Sequence, residues 1–94
     1  MVKVVVEVYS TLREKLGWSR RELLIPSSKA LLGDVLDLLP EVKKYLVDEE
    51  NRIRRGIILL VNGRHAEFTG GLKTPLEDGD LITIFPPSGG GQQP

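Results

Sequence analysis

Chemistry-bearing residues are scarce in this 94-residue chain. There is no cysteine, which excludes disulfide scaffolds, cysteine zinc sites, thiol redox chemistry and a cysteine nucleophile. His65 is the single histidine. It follows an Asn62-Gly63 pair and reads as a surface hairpin residue, weak ground for a Ser-His-Asp triad. Glu77, Asp78 and Asp80 bracket Gly79 and could touch a cation, but exposed carboxylates around a glycine are the ordinary composition of a turn. The short runs Lys43-Lys44 and Arg52, Arg54, Arg55 read as solvated faces, with contact to an acidic partner as the functional alternative.

The carboxyl end is different. Ser88-Gly89-Gly90-Gly91-Gln92-Gln93-Pro94 has no side chain suited to packing, and fraying is the common fate of such a stretch. It is not a phosphate loop, because no helix follows and no Lys-Ser or Lys-Thr completes that motif. Two features set it apart. Pro86-Pro87 ends any ladder pairing and launches the chain stiffly outward. The glycines beyond carry no β-carbon, so the strip could enter a slot too narrow for other residues. Its extended reach from Pro86 to Gly91 is about 20 Å. That is a shape for presenting a carboxyl group to another protein's active site.

Residues 1–85 must position this strip. Val2, Val4, Val6 and Val8 alternate with Lys3, Val5, Glu7 and Tyr9, the period of a strand with one face in a core. Such a first strand is expected inside a sheet. Thr11 to Leu16 predicts one or two helical turns stopped by Gly17. Residues 21–25 predict a second strand, antiparallel to the first and closed by Pro26. From Leu31 to Leu39 the apolar period becomes helical, with Asp34 and Asp37 pointing away and Ser27 and Ser28 as capping candidates. Pro40 stops that helix and opens a possible second one to Val47, with Glu41 favourably placed in its first turn. Residues 48–51 predict a solvated loop and 57–61 a strand. Asn62-Gly63 predicts a type I′ hairpin turn returning along Arg64 to Phe68. Gly70-Gly71, Thr74-Pro75 and Asp78-Gly79 mark turns before a last strand at 81–85.

A helix of about three turns packed across a small mixed sheet satisfies this order, with the first and last strands as parallel neighbours. The expected fold is an α+β domain of the β-grasp, ubiquitin-like kind over residues 1–85, with a flexible Pro/Gly-rich tail over 86–94. Thirteen basic and thirteen acidic residues leave no footprint for nucleic acid or an anionic membrane. Charge is also nearly even along the chain: residues 1–55 carry eleven basic and nine acidic side chains, residues 56–94 two and four. No apolar run approaches the ~20 residues of a membrane span, and Met1-Val2-Lys3 has no signal-peptide layout. The expectation is a soluble cytoplasmic protein.

Several motifs carry a family resemblance. Asp78-Gly79-Asp80-Leu81-Ile82-Thr83-Ile84-Phe85-Pro86-Pro87-Ser88-Gly89-Gly90-Gly91 resembles the carboxyl end of the molybdopterin synthase small subunit and its archaeal small-modifier relatives. Thr11-Leu12-Arg13-Glu14, Gly33-Asp34-Val35-Leu36, Leu60-Val61-Asn62-Gly63-Arg64 and Thr74-Pro75-Leu76-Glu77 are similar to other family segments, in family order. The likeness runs from Val2 to Gly91. It implies a ubiquitin-like sulfur carrier rather than an enzyme, with Gly90 and Gly91 as the reacting pair and Gly91 as carboxyl donor. No permanently bound cofactor is implied; ATP and magnesium serve a ubiquitin-activating-type adenylating partner. A sulfur donor would then convert the adenylate to a thiocarboxylate, for transfer to a pterin precursor on a molybdopterin synthase large subunit, or to tRNA. Capture by target-protein lysines, giving an isopeptide-linked modifier, is the alternative. A β-grasp binding module with an inert tail is a third reading.

The chain departs from the family pattern by continuing past the diglycine with Gln92-Gln93-Pro94. Trimming by a processing protease is the expected remedy; Gly89-Gly90 is an alternative register for the functional pair. Docking is expected on the sheet face opposite the helix, where alternation exposes Val5 and Tyr9 and adds Phe85 beside the tail. Pro86, Pro87 and Gly89 complete the expected partner-binding set.

Overall fold

The structure is a computed structural model that describes residues 1–87; the expectations placed on Ser88 to Pro94, including those for Gly89, Gly90 and Gly91, lie outside the described residues. Strand β1 (Val2–Val8) buries Val2, Val4, Val6 and Val8 and turns the alternate side chains outward. β-Branched side chains stiffen this extended backbone, and each buried valine contributes roughly 1.5–3 kcal/mol of apolar transfer. Helix α1 (Ser10–Leu16) follows and drops Leu12 into the core. Gly17 ends it at φ 82°, its N–H donating to the Arg13 carbonyl at 2.9 Å, a left-handed cap that glycine adopts without strain. Strand β2 (Arg20–Ile25) then returns antiparallel to β1, pairing Val2 with Ile25 and Glu7 with Arg20.

The first helix of the helical layer is shorter than the three turns expected over Leu31 to Leu39. The layer is split into α2 (Leu32–Asp37) and α3 (Pro40–Leu46). Pro40 lacks the N–H that would continue α2, and its ring excludes the α conformation at Leu39, which sits at φ −127°, ψ 67°. The second helix begins at Pro40 as expected. Val35, Leu36, Leu39, Val42 and Leu46 face the sheet, whereas Leu31 and Leu38, counted on the apolar face by periodicity, are exposed. The expected serine caps also fail: Ser27 and Ser28 lie in a separate 3-10 turn, Ser27–Lys29. The Asp34 carboxylate instead accepts the Leu31 N–H at 3.0 Å, closing the first turn of α2 from inside.

Strand β3 (Ile58–Val61) leads into the Asn62-Gly63 turn, whose φ values of 52° and 83° are those of a type I′ hairpin. The return is shorter than expected. Strand β4 is only Arg64–His65, because Ala66–Phe68 coils into a 3-10 turn that buries Ala66. After a second 3-10 turn, Gly71–Lys73, strand β5 (Asp80–Phe85) completes the sheet. The strand order is β2-β1-β5-β3-β4, with β5 parallel to β1 and antiparallel to β3. This is the β-grasp arrangement. β1 is an interior strand and β5 the central one. Among the described residues, no helix is long and apolar enough to cross a membrane.

The Asp78-Gly79-Asp80 segment turns out to be a clamp. Asp78 accepts the Lys3 N–H at 2.7 Å, which fixes the start of β1. Asp80 accepts Asn62 Nδ2 and the Glu77 N–H, both at 2.7 Å. Asn62 Oδ1 in turn accepts the Leu81 N–H at 2.9 Å. These carboxylates and this amide tie the hairpin and the starts of β1 and β5 together.

Candidate functional site: the open sheet face and the root of the tail

The helices cover one face of the sheet and leave the other open. Register fixes which side chains share the open face. Because Val6 and Ile82 are paired and buried, their neighbours Val5 and Leu81 point the other way, followed along β5 by Thr83 and Phe85. On β3, Ile58 lies opposite Phe85 and Leu60 opposite Thr83. Leu24 on β2 extends the surface past Lys3. Ile58 is 42% exposed and Leu24 61%, whereas Val5, Leu60, Leu81 and Phe85 are half-buried by their neighbours. The expected trio is therefore part of a broader apolar surface. Leu24, Ile58, Leu60 and Leu81 escaped notice in the sequence, although the period of two in 81–85 could have found Leu81.

Tyr9 and Phe85 meet directly. Their rings stack with centroids 4.8 Å apart and planes 19° from parallel. The backbone arranges this, since the Tyr9 N–H donates to the Ile84 carbonyl at 3.1 Å and so holds Tyr9 beside the end of β5. The Tyr9 hydroxyl donates to Glu7 Oε1 at 3.0 Å, and Arg20 Nη1 reaches Glu7 Oε2 at 2.6 Å. The hydrogen bond to Glu7 pushes the Tyr9 hydroxyl above the ordinary phenol value. The negative charge of Glu7 and slight burial act the same way, and Arg13 and Arg20 oppose them. Tyr9 thus remains a neutral donor with 37% of its surface open. Val5 shares the face but sits four residues back along β1, against Leu81.

Beyond Phe85 the chain leaves the sheet. Pro86 is half-buried and Pro87 exposed. With Thr11, Leu12, Lys15, Tyr45 and Ile57 they line a small pocket of about 170 Å³. Lys15 and Lys44 both place their ammonium groups 5.2 Å from the Tyr45 ring centre. Neither makes an ion pair among the described residues. Pro87 lies over Gly56.

The remaining candidates separate from this surface or serve structure. His65 is exposed on β4, its ring 6.0 Å from Phe68 in an edge-on pair. Glu77, Asp78 and Asp80 do not converge on a cation site; Asp78 and Asp80 hold backbone amides, as described above. Lys43 pairs with Asp37 at 2.6 Å, and Arg52 with Asp48 and Glu50. Among the described residues, no group of three or more histidine or acidic side chains comes together to hold a metal. A groove of about 610 Å³ lies beside α2 and the Gly71–Lys73 turn, and no open-face residue lines it.

Comparison with known proteins agrees with the geometry. The model of the ThiS family matches residues 6–91. Small archaeal modifier protein 3 of Haloferax volcanii is 31% identical over 86 residues, spanning 88% of this chain and 92% of that protein. Sulfur carrier protein CysO of Mycobacterium tuberculosis is 29% identical over 96 residues, spanning 96% of this chain and all of that protein. Among solved structures, a chain of the Amycolatopsis orientalis BexX/CysO complex superposes with a TM-score of 0.74 at 30% identity, covering 94% of this chain and 99% of its own.

Proposed function

Since this chain belongs to the ThiS family of ubiquitin-like sulfur carriers and modifiers, we propose that it carries sulfur as a thiocarboxylate on Gly91. As a family member it is a carrier acted on by other proteins and not itself a catalyst. The observation that carries the reading is the continuity of docking surface and tail. The central strand ends at Phe85 in the open apolar face, and the same strand leads through Pro86-Pro87 into the glycines. A partner that grips the open face therefore receives the tail at a defined place.

The chemistry has three steps. Hydrolysis of the Gly91–Gln92 peptide bond by a processing protease frees the Gly91 carboxylate and releases Gln92-Gln93-Pro94. A carboxylate oxygen then attacks the α-phosphorus of ATP on a ubiquitin-activating-type enzyme with magnesium, expelling pyrophosphate and leaving an acyl adenylate. A sulfide-level nucleophile attacks the acyl carbon, and AMP leaves. The cysteine-free chain can hold sulfur only on that carboxyl group. A pterin precursor on a molybdopterin synthase large subunit is one recipient. The second reading, an isopeptide-linked modifier, is favoured by the likeness to small archaeal modifier protein 3. There a lysine amine, rather than sulfide, displaces AMP.

Intact mass spectrometry of the protein purified from its host tests the proposal. The expected species ends at Gly91 with one oxygen replaced by sulfur. An isopeptide branch running from Thr74 to Gly91, the fragment left by cleavage after Lys73, on lysines of other proteins selects the modifier. A uniformly unprocessed 94-residue chain refutes both. Deleting Gly90 to Pro94 separates these readings from a binding module, which would keep its partner, whereas a carrier or modifier would lose all activity.

A further inference from the structure

Gly56 has φ +89°, a conformation open to glycine and strained for any L side chain. A β-carbon at Gly70, φ +126°, would meet only the nearby backbone of Lys73 and Thr74, whereas one at Gly56 would meet a residue far along the chain. A β-carbon at Gly56 would stand 3.2 Å from Pro87 Cβ, 3.4 Å from Cγ and 3.8 Å from Cα. At Gly63, with φ +83°, and Gly79, with φ +91°, the same β-carbon would meet nothing within 4 Å. Gly56 is held in place from both sides. The Arg54 N–H donates to the Leu46 carbonyl at 2.7 Å, anchoring the loop to α3, and the Ile57 N–H donates to the Arg54 carbonyl at 3.3 Å. Pro87 thus lies on a loop that is itself fastened to the helical layer. Pro86 beside it lines the same small pocket as Leu12 and Tyr45.

We propose that Gly56 is a positioning residue for the tail: its missing β-carbon makes the seat on which Pro87 rests, so the deliverable strip starts after Pro87 rather than at the end of the sheet. This deepens the carrier reading and rests on it. The seat fixes the departure direction at the second proline. It also shortens the reach. From Pro87 to Gly91 the fully extended span is about 17 Å, against about 20 Å counted from Pro86. A partner's reacting centre must therefore lie within about 17 Å of the loop carrying Gly56. A β-carbon at position 56 would lift Pro87 and re-aim the strip without touching Val5, Tyr9 or Phe85.

Gly63→Ala and Gly79→Ala serve as controls, because they impose the same left-handed strain with no contact to the tail. Two readouts are compared at a temperature where all variants are folded. The first is the nuclear Overhauser effect between the α-protons of residue 56 (a single α-proton in the alanine variant) and the Pro87 β-protons. It is expected in the wild type and both controls and weakened at least twofold in Gly56→Ala. The second is adenylation by the host's activating enzyme, using chain ending at Gly91. Gly56→Ala is expected to lower kcat by about tenfold or more with KM within twofold, since the few tenths of an ångström by which Pro87 must give at the root grow along the strip, and misplacement of a reacting group by about 1 Å is that costly while docking is untouched. The controls keep both parameters. If Gly56→Ala matches the controls in both measurements, the seat is refuted. A wild-type chain that is never adenylated overturns the carrier reading, and the proton contact then decides the seat alone.

Discussion

Replacing Phe85 by arginine separates docking from folding. Phe85 loses its stack with Tyr9, whose centroid is 4.8 Å away, and its cross-strand partner Ile58. An aromatic pair is worth about 0.5–1.5 kcal/mol and a cross-strand pair about 0.2–1 kcal/mol. Phe85→Arg should therefore destabilise the fold by about 1–2.5 kcal/mol, softened by the aliphatic stem of arginine lying on the same surface. A chain of this length has about 5–14 kcal/mol to lose, so the variant stays folded. Its Tm falls by about 5–15 °C. Binding responds differently. A guanidinium placed at the centre of an apolar contact should cost at least about 2 kcal/mol, roughly thirtyfold in Kd. Urea denaturation measures the first quantity. Calorimetric titration with the host's adenylating enzyme measures the second, with Phe85→Leu retaining affinity within about fivefold. A folded Phe85→Arg that binds within threefold of wild type would show that partners do not use this face.

Two further outcomes bear on structure. Asp80→Ala removes the acceptor for both Asn62 Nδ2 and the Glu77 amide; it should cost about 1.5–3 kcal/mol in urea denaturation, and a loss under 0.5 kcal/mol would deny the clamp its role. Asp48 is held below the usual carboxylate value, first by the hydrogen bond from the Arg52 amide, then by the Glu50 amide and the charges of Arg52 and Arg54, against a burial effect of opposite sign. A carboxylate with a depressed folded pKa contributes stability above its unfolded value of about 3.9, and that contribution is lost as pH falls through the lower folded value. Asp48→Asn should thus flatten part of the fall in urea midpoint below pH 4, and an unchanged acid profile would refute the assignment.

The sheet was legible because its signals are local. The valine alternation of residues 2–8, the Asn62-Gly63 turn and the Gly17 stop each depend on a few adjacent residues. The misplaced features depend on competition. Periodicity ran the main helix from Leu31 to Leu39, up to the stop at Pro40, but the helix ends at Asp37. Ser27 and Ser28 have the right chemistry for a cap, yet Asp34 reaches the Leu31 amide from within the helix. Residues 64–68 lack a breaker, and burial of Ala66 coils them away from the sheet. At the candidate site, Tyr9 and Phe85 followed from alternation, but their stacking needed the parallel register of β1 and β5. The approach of Pro87 to Gly56 joins residues far apart in sequence, and no local pattern announces it.

The central position of β5 also bears on how the protein is made. β5 is synthesised last of the strands, yet it fills the gap between β1 and β3. Until residues 80–85 arrive, Val2–Val8 and Ile58–Val61 have no common neighbour, and Ile82 and Ile84 are missing from the core. Such non-local pairing must await the end of the chain. A ribosome that stops early leaves a product that cannot close its sheet and is removed as unfolded protein. Completion of the fold and arrival of the glycines are separated by only a few peptide bonds. Folding thus inspects each copy for completeness through β5, a few residues short of the glycines.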